Sequence, residues 1–180
     1  MTDSLVVDDE GTLLSFSFAE LQRYSGPGSP AGVALAHQVM AGAFPLLGAN
    51  GPLRRRAITI DTAFRGPGAR DAFEMVTRAS SGGRYVVNSG LERPERGRTL
   101  EAFVFRLGYR GRVATSVLRD GLITDEFISL ARNQDRSPAA ERHFTNLKRE
   151  TAQRLMAATP AEIFEIAIED LGRPESAGPD

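Results

Sequence analysis

The sequence predicts an α+β fold, in which a small, mostly antiparallel sheet is covered by helices and followed by a C-terminal helical segment. Three observations lead there. AITIDTAF, TLEAFVFRL and RVATSVL alternate apolar and polar residues with the two-residue period of strands. Segments opened by Pro30, Pro67 and Pro138 carry their apolar residues at helical spacing instead. The expected order is helix, helix, strand, helix, three strands and then helices, so the strands are grouped rather than interleaved one by one with helices.

Each element has a local cause. Residues 1–14, MTDSLVVDDEGTLL, read as a weakly ordered lead-in, and residues 16–24 suit a short helix. Ser29 as N-cap and Pro30 in the first turn open a helix to about Leu47. That helix is apolar nearly all round, which requires burial within the chain or beneath a partner protomer. Gly48 to Pro52 is a turn, and Arg54-Arg55-Arg56 reads as a solvated approach to the strand over 57–64. Gly66-Pro67-Gly68 opens a helix to about Ser80, with Ala69, Ala72, Phe73, Val76 and Ala79 as its apolar stripe. Ser81-Gly82-Gly83 ends it, RYVVN follows as a short strand, and residues 89–98 form a charged loop. The two remaining strands flank Gly108 to Gly111, a hairpin with a four-residue connection. Thr124 starts a helix to about Arg132, and Ser137-Pro138 another to about Ala158. Thr159-Pro160-Ala161-Glu162 is a capping box opening a last helix to Leu171. The expected organisation is one domain over 1–172, with a core at 16–135, C-terminal helices at 137–171 and a disordered tail at 173–180.

Composition narrows the function. The chain has 180 residues, 41% of them hydrophobic, with a net charge of −1 and a pI of about 6.2. It lacks the basic excess of a nucleic-acid-binding domain. It has no cysteine, hence no disulfide and no thiolate nucleophile or ligand. No apolar run reads as a membrane span, and the acidic N-terminus does not read as a secretory signal, so a cytoplasmic protein without membrane partners is expected. Lys148 is the only lysine, against 21 arginines, which leaves little room for Schiff-base chemistry.

The two glycine-proline turns carry the functional signal. Tyr24-Ser25-Gly26-Pro27-Gly28-Ser29-Pro30 and Gly66-Pro67-Gly68-Ala69-Arg70-Asp71 each run into a helix. Such starts present free N–H groups to anionic or polar ligands. Two within 50 residues point to a pocket between them.

The residues around these turns resemble a known family. YSGPGSPAGVALAHQVM resembles the F-H-G-H-x-C-P-G helix start of the formylmethanofuran dehydrogenase E-like family. ITIDTAFRGPGARDAFEMVTRASSGGRYVVN resembles its second element, and GRTLEAFVFRLGYRGRVATSVL its closing hairpin. The resemblance spans residues 16–135 and rests on motif order and spacing. It implies the same scaffold, a pocket between the helix starts and a homodimer. It also implies a metal that this chain is not equipped to hold in the same way. Ser25, Pro27 and Ser29 stand where the family has His, His and Cys, while Gly68 and Ala79 stand where it has Cys. Soft metals need thiolate or imidazole. The acid of the Asp-Ala pair is retained as Asp71-Ala72.

The candidate site follows from both readings. Asp71 is the candidate acid or base and Arg70 its partner, clamping a carboxylate or phosphate; the plainer alternative is a solvated helix face laced by Glu74 and Arg78. Tyr24, Ser25, Gly26, Gly28 and Ser29 form the first wall, and Arg65, Gly66 and Gly68 the second. His37 is a packed histidine or a ligand contact. Arg106 stands at a strand position expected to be apolar, which suggests a substrate or a buried anion as partner. The expected function is metal-independent lyase, isomerase or cyclisation chemistry on a small molecule, with no cofactor. Two alternatives stand beside it: a non-catalytic ligand-binding or scaffold module, and a metal enzyme using His37 with Asp61 or Asp71.

Overall fold

The computed structural model describes residues 4–172. It is an α+β fold with two sheets. The element order is β1 (Ser4–Asp9), β2 (Thr12–Ser17), α1 (Phe18–Ser25), α2 (Pro30–Leu47), β3 (Leu53–Arg54), β4 (Thr59–Thr62), α3 (Pro67–Thr77), β5 (Tyr85–Val87), α4 (Gly97–Leu100), β6 (Val104–Tyr109), β7 (Arg112–Leu118), α5 (Asp125–Arg132), α6 (Pro138–Ala157), α7 (Pro160–Ile163) and β8 (Phe164–Asp170). The tail expected at 173–180 lies outside the described residues.

The larger sheet has the order β5-β4-β6-β7-β8, antiparallel except for the β4–β5 pair. Its register puts Ile60, Leu107, Ala114 and Ile168 in one row and Thr62, Phe105, Ser116 and Ile166 in the next. This face packs on α2, and Ile60, Phe105, Leu107 and Ala114 are sealed from solvent. Removing each large side chain from water contributes about 1.5–3 kcal/mol. The opposite face carries Asp61, Arg106 and Thr115 in register.

α2 has the length and composition of a membrane-crossing helix, but 78% of that window is buried in the fold. Its neighbours α1, α3, α6 and the sheet all come from its own chain, so intramolecular burial accounts for its apolar character. Gln38, also buried, donates to the carbonyls of Leu155 (2.8 Å) and Ala158 (3.1 Å), pinning the end of α6 to α2. α3 ends on arginines: Arg55 reaches the Val76 carbonyl at 3.0 Å and Arg84 the Thr77 carbonyl at 3.1 Å. Arg55 also pairs with Asp9 at 2.9 Å, so this member of the triple-arginine run is a largely buried helix cap rather than a solvated side chain.

Three further expectations are corrected. The lead-in is the β1–β2 hairpin, turned at Glu10 and Gly11 with φ of 58° and 89°. The β6–β7 hairpin turns on two residues, Arg110 and Gly111, both at positive φ, because Tyr109 already pairs with Arg112. The capping box of Thr159 and Glu162 forms, but the helix lasts one turn and the chain continues as β8. Phe164, Ile166 and Ile168 alternate, and the open edge of β7 offers hydrogen bonds that a helix would leave unused.

Candidate functional site

Both glycine turns line one cavity of about 650 Å³. Gly28, Ser29 and Gly32 come from the start of α2, and Arg65, Gly66 and Gly68 from the start of α3. The two helix starts touch through backbone. A Cβ on Gly68 would fall well inside van der Waals contact with the Ser29 carbonyl oxygen, and one on Gly32 would stand 3.1 Å from the Ala69 nitrogen. Only glycine allows this approach. Neither Ser29 nor Gly66 supplies a side-chain cap, so the first-turn N–H groups of α2 and α3 receive no side-chain acceptor from these caps. Ser29 occupies the expected N-cap position, but its hydroxyl does not make the expected cap bond.

Aromatic pairs supply the apolar walls. Phe64 and Phe103 lie 4.9 Å apart on the sheet side, and Phe127 and Phe144 5.4 Å apart on α5 and α6. The C-terminal helices thus cover the pocket of their own chain.

Charge around the cavity is one-sided. Arg65, Arg98, Arg132, Arg136 and Lys148 line it against Glu92 and Glu101, five cations to two carboxylates. Arg136 is spent on Glu141 at 2.5 Å and lies over the Phe144 ring. Lys148 donates to the Gly28 carbonyl at 2.9 Å and also lies over Phe144. Arg132 reaches Glu101 only at 3.9 Å. Among the described residues, Arg65 and Arg98 have no ion pair and no side-chain hydrogen bond. Two guanidiniums without a carboxylate partner thus stand beside an apolar chamber.

Of the residues singled out in the sequence, Gly28, Ser29, Arg65, Gly66 and Gly68 line this cavity. The others do not. Asp71 accepts a 2.8 Å hydrogen bond from Ser25, which bolts the end of α1 to α3 outside the lining. Arg70 is exposed and donates to the Ser80 hydroxyl at 3.2 Å. Tyr24 is 53% exposed, and Gly26 is the C-cap of α1 at φ 83°. His37 is buried in α2, with the Phe18 ring 6.2 Å away, and faces a separate hollow beside β1. Arg106 lies on the outer face of the sheet, 3.7 Å from Glu169. Among the described residues no group of three or more His, Cys, Asp or Glu is arranged to hold a metal ion.

Sequence reading missed Phe127, Phe144, Arg98 and Lys148, which converge on the site from later elements. The unusual lysine was visible, but nothing local to 144–150 points to a turn 120 residues earlier.

Below Asp71, Glu74 organises the end of α3. It accepts from the Ser80 and Ser81 backbone N–H groups at 2.8 and 3.0 Å and from the Ser81 hydroxyl. Burial pushes its carboxyl up, but these donors, with Arg78 beside it, outweigh burial and hold it below the ordinary 4.5. Burial raises the Tyr85 phenol, with Arg70 opposing the shift.

Compared with known protein families and with curated proteins, the chain matches none of them.

Proposed function

We propose that this protein binds a small organic anion with an apolar, preferably aromatic, body in the cavity between its two glycine turns. One observation carries this reading: Arg65 and Arg98 are uncompensated at the mouth of a chamber walled by Phe64, Phe103, Phe127 and Phe144. The cavity volume suits a molecule of benzoate or phenyl phosphate size with room to spare. Calorimetric titration with phenyl phosphate, benzoate and benzyl alcohol tests it. The two anions bind and the neutral alcohol binds at least about tenfold more weakly, and Arg65→Gln or Arg98→Gln removes about 1.5–3 kcal/mol of anion affinity. Equal binding of the alcohol, or none by the anions, refutes the reading.

Acid-base chemistry of the lyase or isomerase class is a second reading. It is favoured by Glu92 and Glu101, carboxylates that do line the cavity. It predicts that the protein speeds exchange of the α-hydrogens of phenylacetate with D₂O, and that Glu92→Gln or Glu101→Gln slows that exchange. Exchange at the buffer rate counts against catalysis and leaves binding standing. Both readings keep the expected cytoplasmic homodimer, built on the scaffold that the formylmethanofuran dehydrogenase resemblance implies. Sedimentation as a monomer at working concentrations removes the dimer.

A further inference from the structure

Arg106 lies in a second hollow, on the outer face of the larger sheet, with a volume of about 420 Å³. Leu91, Glu92 and Arg93 of the charged loop line it together with Arg106, Thr115 and Glu169 of the sheet. Polar groups here lack partners. The Thr115 hydroxyl is buried without a hydrogen bond, in a residue only 7% exposed. Opposite Arg106 in register but outside the lining of this hollow, Asp61 has one carboxylate oxygen buried without a hydrogen bond, while Asn88 donates to the other at 3.3 Å. Arg106 approaches Glu169 only at 3.7 Å, too far for a hydrogen bond. Folded proteins fill such deficits, because an unmet buried polar group costs more than a made bond returns.

The charges in this hollow balance, with Arg93 and Arg106 against Glu92 and Glu169. A simple anion here meets two carboxylates and a simple cation meets two guanidiniums. A molecule carrying both charges on adjacent atoms meets neither conflict. We propose that this hollow binds a small zwitterion of the α-amino-acid class. Its carboxylate sits on Arg106 and takes the Thr115 hydroxyl as donor, while its ammonium sits on Glu169 and Glu92. The anion cavity, with its five cations to two carboxylates, has the opposite preference, and the two sites share only Glu92 as a wall. The proposal therefore stands or falls independently of the function proposed above.

Amide NMR titration of the full chain with L-alanine, L-serine and L-glutamate tests it, with acetate and methylamine as single-charge controls. At least one amino acid shifts the Gly90, Arg106 and Thr115 amides saturably, while neither control does so at the same concentration. Glu169→Gln, at a half-exposed edge-strand position, and Thr115→Val each weaken that binding, the first by about tenfold or more. The proposal is overturned by no saturable shift with any of the three amino acids. Acetate alone reproducing the shift overturns it, as does wild-type affinity in both variants.

Discussion

Ser25 donates a 2.8 Å hydrogen bond to Asp71, joining the residue that ends α1 to the second turn of α3. Both residues are half-buried, and neither lines the cavity between the glycine turns. The bond sets where one glycine turn sits against the other, which is a positioning role. Asp71→Asn retains an acceptor for the hydroxyl, so urea unfolding should show a change within about 0.5 kcal/mol, whereas Asp71→Ala should cost about 1–2 kcal/mol. Phenyl phosphate affinity should be unaltered in Asp71→Asn. Loss of binding in that folded variant would return Asp71 to the site.

Gly68 and Gly28 make opposite predictions from similar sequence contexts. A methyl group on Gly68 collides with the Ser29 backbone, and backbone cannot step aside as a flexible side chain can. Gly68→Ala should therefore lose about 1–3 kcal/mol in thermal unfolding and loosen the cavity wall. A methyl group on Gly28 meets nothing within 4 Å, so Gly28→Ala should stay within about 0.5 kcal/mol of the parent. Equal losses would mean that the helix starts do not pack as described.

Lys148 ties α6 to the first glycine turn through the Gly28 carbonyl and adds charge to the cavity. Lys148→Met keeps the aliphatic stem over Phe144 but removes the donor and the charge. Stability should fall by no more than about 1 kcal/mol. Benzoate affinity should fall about three- to tenfold, with less of a gap at high salt because screening weakens the charge contribution. Calorimetry at two ionic strengths reads both effects.

Glu74 gives a pH dependence with a defined sign. Its folded-state carboxyl lies below the ordinary 4.5, so its contribution is present above that value and is lost as pH falls through the depressed one. Acid should therefore loosen the turn over 80–83. Glu74→Gln should be less stable than the parent near neutrality, and the difference should shrink as pH falls below the ordinary 4.5 through the depressed value. Stability measured across the acid limb checks this. A constant difference at every pH would remove ionisation from the account.

Much of the fold was legible because its causes are local. Thr124 and Ser137 cap the helices that follow them, and Pro30 and Pro67 open theirs. The failures fall where partners decide. β1 ends on Asp8 and Asp9 and reads with β2 as a weakly ordered lead-in, yet Leu5 and Val7 face the core once the two strands pair. Residues 164–170 suit either a helix or a strand, and the free edge of β7 selects the strand. Arg55 reads as a surface charge because its acceptors, Asp9 and the end of α3, are distant in sequence.

The sequence by itself determined the fold class and the two glycine-opened helices, since proline, glycine and hydrophobic period act over a few residues. Tertiary structure alone decided which side chains meet in the cavity between them. Contact between α5, α6 and the glycine turns depends on how helices pack across the core, and no local pattern encodes that. It moved Asp71 from the chamber to the joint beside it, and brought Arg98, Phe127, Phe144 and Lys148 into the chamber instead.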